Sequence, residues 1–440
     1  MFVSSLALIT VLAAAPPAPP SPSPAAPPPS PAGAAAAPAD NSQPSPQPSA
    51  ADLAAIERSL ASDAAAQATA APAGGPRDAT AGPAPTSPAA ASSINPDLSV
   101  ILDAALAGFS ADKPRQVGDH DPHKNGFTIQ QVELALSKAV DPYFRFDGFI
   151  VFTPDGVEVE EAFATAVALP GSLQLRAGQF LTRFGRQNPT HPHAWDFVDQ
   201  PFVMSRMWGG EGNRGAGVEV SWLTPLPWYV ELLGSATDAS GEGTARSFWA
   251  GEERTIHGPR DLQLTCALRQ FFPISDDLSL LWGLSGAFGP NPTGDNARSQ
   301  LYGTDFYLKY RPLTAGSHTV VSLQAEAIAR RRAIPGDRLT DAGGYAQLFY
   351  RFAQRWAVGA RSEYGTPIWN HDGDVATDYQ DPLWLGHRHR ETLAVTFWPT
   401  EFSRLRLQGS RDATTGGDPT IWGAMLALEV LAGAHGAHAF

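Results

Sequence analysis

Two histidines and two aspartates lie close together in GRQNPTHPHAWDFVDQPFV (185–203): His191, His193, Asp196 and Asp199, set between Pro189, Pro192 and Pro201 and beside Trp195, Phe197 and Phe202. Imidazole and carboxylate together suit a divalent cation such as zinc. The same groups can instead hydrogen-bond a loop to charges on a neighbouring wall. In His-Pro-His the imidazoles sit two residues apart around a proline, which is not the usual spacing of a structural zinc site, so the docking reading is preferred. A second pair, His120 and His123 in GDHDPHKNG, and the separate His257, His371 and His387 fall in segments expected to be loops, with His389 grouped beside them at the start of the strand expected from 388. Metal capture by His120, His123, His191 and His193 is therefore the alternative reading. Covalent chemistry has little support, because neither G-x-S-x-G nor H-E-x-x-H occurs and scattered loop His, Asp and Ser residues do not make a triad. No enzyme activity and no cofactor is expected. The single cysteine, Cys266, excludes an internal disulfide and a Cys-rich zinc site.

The segments flanking this stretch alternate apolar and polar residues with period two, the mark of strands with one greasy and one wet face. In YFRFDGFIVF, Phe144, Phe146, Ile150 and Phe152 oppose Arg145 and Asp147; in GAGVEVSWL, Val218, Val220 and Trp222 oppose Glu219 and Ser221. Repetition of the pattern predicts strands over 98–110, 126–139, 142–153, 157–169, 172–182, 214–223, 226–238 and 261–272. A second set follows over 277–289, 300–311, 317–330, 342–353, 355–364, 388–398, 402–412 and 420–431. The count is about sixteen, with about 14 to 18 as its range. Connections alternate between short (for example 224–227 and 398–401) and long (111–125, 183–213, 239–260, 290–299, 331–341 and 365–387), with TPDG (153–156) a short turn where a long one is due. Short inner turns and long outer loops belong to transmembrane barrels. Trp222 and Trp228 bracket one short turn and Trp398 and Phe402 another, as an interfacial aromatic girdle would.

The predicted fold is all-β: a single antiparallel transmembrane β-barrel over 94–440. Its greasy parity faces lipid and its wet parity lines an enclosed passage. The wet parity carries Arg145, Asp147, Arg176, Glu219, Glu231, Asp305, Lys309, Glu326, Arg351, Arg361 and Arg406, among other charges of both signs. Their near balance predicts a water-filled pore with weak ion preference and salt bridges that brace the wall. Ahead of the barrel, MFVSSLALITVLAAA (1–15) reads as a signal peptide. Residues 16–93, rich in Ala, Pro and Ser, read as a disordered periplasmic tether with a short helix near 51–67. The net charge of -13 carries no basic patch, so nucleic acid is not an expected partner.

Three stretches, NGFTIQQVELALSKAVDPYFRFDGFIVF, GVEVEEAFATAVALPGSLQLRAGQFLTRFGRQNPTHPHAWDFVDQPFV and GGEGNRGAGVEVSWLTPLPWYVELLGSATDA, resemble a Gram-negative outer-membrane family of the porin superfamily, whose members often carry the label zinc-regulated TonB-dependent outer-membrane receptor. The resemblance is close over 95–238 and looser beyond. It implies a porin-type barrel in the outer membrane of a Gram-negative bacterium, surrounded by lipid and lipopolysaccharide and inserted by the outer-membrane assembly machinery. A homotrimer is one assembly open to it. The receptor half of the label would need 22 strands and a plug, and only the Ala/Pro-rich segment precedes the first strand. In porins that resemble this layout the third outer loop folds into the lumen. Here that loop is 183–213, and His191, His193, Trp195, Asp196, Phe197 and Asp199 are its expected constriction residues. The expected function is passive diffusion of small polar or ionic solutes.

Overall fold

The computed structural model describes residues 96–154, 156–238, 243–249, 255–314, 318–378, 384 and 386–433. The segments expected to be a signal peptide and a tether with a short helix, and the C-terminal AHGAHAF, lie outside the described residues. The strands are β1 (Asp97–Phe109), β2 (Gly126–Ala139), β3 (Phe144–Thr153), β4 (Gly156–Ala166), β5 (Leu173–Leu181), β6 (Arg214–Leu223), β7 (Tyr229–Thr237) and β8 (Gln263–Pro273). They continue as β9 (Leu278–Pro290), β10 (Arg298–Tyr310), β11 (Val320–Ile334), β12 (Asp337–Ala353), β13 (Trp356–Gly365), β14 (Arg388–Thr400), β15 (Ser403–Thr414) and β16 (Ile421–Gly433). Each strand pairs antiparallel with its sequence neighbours, and β1 pairs with β16, closing a barrel without edges.

Period-two alternation sets the two faces. Along β6, Val218, Val220 and Trp222 are 49%, 45% and 39% exposed, whereas Glu219 and Ser221 are 2% and 5% exposed. A residue on the outer face leaves its surface open, and one turned inward meets other side chains. About ten residues at ~3.3 Å rise, tilted ~40°, cover the ~25 Å apolar band of an outer-membrane barrel. No helix among the described residues is long and apolar enough to cross a membrane. One short helix, α1 (Phe202–Trp208), belongs to the third outer loop.

Three expectations need correction. The connection expected over 331–341 is a two-residue turn, because β11 and β12 stay paired from Val320–Arg351 out to Ile334–Asp337. Arg330 and Arg332 look like a loop's charge run, but they keep the inward parity and bond Asp341 and Asp378. Trp398 does not join the lipid-facing girdle. It shares the parity of buried Thr396, and its ring packs against Phe349 and the Arg351 guanidinium, whose carbon stands 4.9 Å from the ring centre. At that level the outward rings are Trp356 and Phe397, 4.5 Å apart. Trp222, Trp228 and Phe402 are 39%, 42% and 44% exposed.

The third correction concerns the interior, which is not polar throughout. Phe184, Phe202, Val203, Met204, Met207, Trp208, Phe248 and Trp249 from two outer loops pack on inward Ala287, Leu301, Ile328 and Tyr345 to form an apolar core inside the barrel. Small or apolar residues at a few inward positions make room for it. Period-two parity marks which way a side chain faces; it does not say what fills the space there.

Candidate functional site

The site lies where the third loop meets the inner wall. On the β2–β4 side the wall is acidic, and two β-bulges make it so. In β4, Val159 pairs with Ile150 and Glu161 with Phe149, leaving Glu160 as the extra residue. Glu160 and Glu161 therefore both turn inward, at 3% and 5% exposure. In β2 the same break falls at Gln130, since Ile129 pairs with Ala104 and Gln131 with Asp103. Glu133 follows two residues later and is fully buried.

His191 of the loop sits among these carboxylates. Its Nε2 is 2.8 Å from Glu161 Oε2, and its Nδ1 is 3.2 Å from Glu160 Oε2 and 3.5 Å from Glu133 Oε2. The ring rests on inward Phe149, with centroids 4.3 Å apart. His193 places Nδ1 3.1 Å from Glu133 Oε2. Toward the mouth, His120 Nε2 stands 3.5 Å from Glu211 Oε2, and Arg214 bonds both Glu158 and Glu211. Burial alone would lower the His120 pKa, but Glu211, Glu160 and Asp119 outweigh it and raise it to about 9. Burial, reinforced by the Glu211 charge, pushes Asp119 up to about 6. His191 is held well above the ordinary imidazole value, because Glu160 and Glu133 overcome its burial.

Beyond β1 and β16, arginines of β13–β15 grip the loop. Asp199 Oδ1 accepts from Arg361 Nη2 at 2.5 Å and Gln408 Nε2 at 2.7 Å, while Oδ2 faces Arg390 Nη1 at 3.0 Å and accepts from Gln116 Nε2 at 2.9 Å. Glu363 completes the quartet by accepting from Arg361, Arg390 and the Phe202 N–H. Arg404 donates to the carbonyls of His193 and Trp195, and Arg406 to those of Trp195 and Phe197. The Phe197 ring lies against the Arg361 guanidinium, 4.6 Å from its carbon. Burial would raise the Asp199 pKa, yet Arg390 and Arg361 hold it below the usual carboxylate range. Asp196 is buried and its carboxyl is raised.

The loop's first turn is fixed to β11. Glu326 accepts from the N–H groups of Arg186 and Gln187 and from Tyr345 Oη. Gly185 (φ 61°) makes this approach possible, since a Cβ there would stand 2.4 Å from Glu326 Oε2. The first outer loop docks as well: Arg388 donates to the Arg115 carbonyl and Asp121 accepts from the Gln200 N–H.

Several of the other expected lumen charges pair along the wall. Arg145 bonds Asp147 at 2.7 Å, Arg176 bonds Glu219 at 3.1 Å, and Arg183 joins Glu219 to Glu231 at 2.7 and 2.8 Å. Arg406 stands 3.4 Å from Glu429 and 3.7 Å from Asp103. Asp305 is buried; Lys309 is partly so. Of the four histidines considered for metal, His120 and His191 reach a common carboxylate, Glu160, in two separate ligand sets. His193 touches Glu133, and His123 lies apart, 3.2 Å from the Asp121 carbonyl. Sequence parity missed Glu161, Glu211, Arg390 and Gln408. Glu161 was legible, because the outward residues Val157 and Val159 give way to Ala162 and Ala164 across a polar doublet.

No family model matches the sequence. A protein of Aquifex aeolicus (strain VF5), described as uncharacterized, is 30% identical over 400 residues, covering 80% of this chain and 82% of that protein. Among solved structures, Pseudomonas putida OprB is similar at TM-score 0.53, with 12% identity over 77% of this chain and 94% of that one. The outer membrane channel DcaP of Acinetobacter baumannii is similar at 0.51, with 13% identity over 77% and 97%. The anion-selective porin from Comamonas acidovorans is similar at 0.50, with 10% identity over 77% and 99%. These likenesses establish the fold as that of outer-membrane porins.

Proposed function

The chain belongs to one family with the Aquifex aeolicus protein, and from that membership and the porin fold we propose that it is a passive diffusion channel for small polar or ionic solutes in a Gram-negative outer membrane. Residues 183–213 narrow the passage. The observation that carries this reading is the bonding of Asp199 and of the Trp195 and Phe197 carbonyls, all on a loop that leaves the barrel between β5 and β6, to guanidinium groups on β13 to β15. A loop held that way stands in the lumen, and solutes pass between it and the wall.

The charges are balanced in number but segregated in space. Arginines on β13–β15 are compensated by Asp199, Glu363, Asp412 and Glu429. Glu133, Glu160 and Glu161 on β2 and β4 meet imidazoles. Lipid and lipopolysaccharide outside the barrel, insertion by the assembly machinery, and a homotrimer belong to the same reading.

Planar-bilayer recording of the full chain and of a variant shortened over 186–208 tests it. The shortened variant should conduct more. Equal conductance in the two refutes the constriction, and no conductance in either refutes the channel.

A further inference from the structure

Neither conduction nor loop docking explains why three carboxylates converge on one imidazole behind the third loop. Glu133, Glu160 and Glu161 are each at least nine-tenths buried. With both imidazoles neutral, this group carries three negative charges, and among the described residues no guanidinium bonds to it. Like charges this close oppose one another's ionisation and are costly to bury. Three atoms in the cluster, Glu133 Oε1, Glu160 Oε2 and His191 Nδ1, are buried without a hydrogen-bond partner, although unsatisfied buried groups are uncommon.

We propose that Glu133, Glu160 and His191 bind one divalent transition-metal cation of the zinc class, which fastens the third loop to β2 and β4. A tetrahedral ion with bonds of about 2.0–2.1 Å holds its ligand atoms roughly 3.3–3.4 Å apart. His191 Nδ1 stands 3.2 Å from Glu160 Oε2 and 3.5 Å from Glu133 Oε2. The other ring nitrogen bonds Glu161 Oε2 at 2.8 Å, as the outer carboxylate of a carboxylate–histidine–metal unit does, and Phe149 fixes the ring plane. One imidazole and two carboxylates leave a fourth position for water. That donor set suits zinc, and it suits calcium or magnesium poorly, since both prefer six or more oxygens. The His120–Glu160–Glu211 set shares Glu160.

The test uses the refolded, EDTA-treated barrel in detergent. Cobalt(II) is followed by its visible absorption and zinc by titration calorimetry. One equivalent should bind, with cobalt displaced by zinc. Glu160→Gln, Glu133→Gln and His191→Ala should each weaken binding by at least about the 10- to 100-fold seen when supporting residues of metal sites are changed. His371→Ala, which alters an exposed histidine of another loop, should bind as the parent does. Heat-modifiable gel migration identifies the variants that fold, so that any one folded ligand variant is decisive. Absence of zinc binding, or unchanged affinity in a folded ligand variant, overturns the proposal. Bilayer conductance is read separately, so failure of the channel reading and failure of the metal site are distinguishable.

Discussion

Asp199→Asn keeps the shape of the side chain and removes its charge. The carboxylate is fully buried and is contacted by Arg361, Arg390, Gln408 and Gln116. After the change Glu363 alone faces two guanidinium groups, and one buried positive charge is left uncompensated. Breaking a buried pair from one side costs about 3–5 kcal/mol, and the polar surroundings favour the lower figure. Because the partners lie on the wall and Asp199 on the loop, the cost falls on docking, and the undocked population should grow by about two to nearly four orders of magnitude. Arg206 reports this population. It is 1% exposed, bonded to Asp341 and the Thr366 carbonyl, and only an undocked loop offers it to trypsin. When opening is fast relative to cleavage, the cleavage rate follows the open fraction. Cleavage after Arg206 in the folded barrel should rise accordingly, and Arg390→Met in the same chain should restore part of the protection. Cleavage of Asp199→Asn at the parent rate, with an unaltered current trace, refutes the reasoning.

The same carboxylate sets a pH dependence. Its folded pKa is depressed below the usual value of about 3.9, so its contribution to docking is fully present above that pH and is lost as pH falls through the lower folded value. Arg206 protection against trypsin should therefore show no loss attributable to Asp199 between pH 5 and 8, with Asp199→Asn as the reference; a loss absent from that variant contradicts the assignment. Gly185→Ala forces a Cβ against Glu326 and leaves a non-glycine residue at positive φ, which costs about 1–2 kcal/mol; the thermal midpoint in detergent should fall.

The strands were legible because lipid enforces parity. A charge on the outer face of β6 has no solvent there, so Val218, Val220 and Trp222 had to alternate with Glu219 and Ser221. The inward course of the third loop was expected from the resemblance to porins, which its prolines and aromatic residues suit. Its partners were not, because Arg390 and Gln408 lie about 200 residues away in sequence and local pattern carries no register across such a distance. The apolar interior was hidden for a related reason. Leu301 and Ile328 look like interruptions of the wet parity until Met207 and Trp208 are seen packed in the same core. Trp398 misled because an aromatic next to a turn usually faces the headgroups, and here its parity decides instead.

The doublets Gln130–Gln131 and Glu160–Glu161 have a consequence for how the chain tolerates change. Upstream of each pair, odd-numbered residues such as Phe127, Ile129, Val157 and Val159 face the hydrocarbon; downstream, even-numbered ones such as Val132, Leu134, Ala162 and Ala164 do. Exchanging a residue inside a doublet alters one side chain. Deleting one turns half a strand over, sending Phe127 and Ile129 into the barrel interior and their hydrophilic neighbours onto its outer face. At these two points the number of residues is under stricter control than their identity.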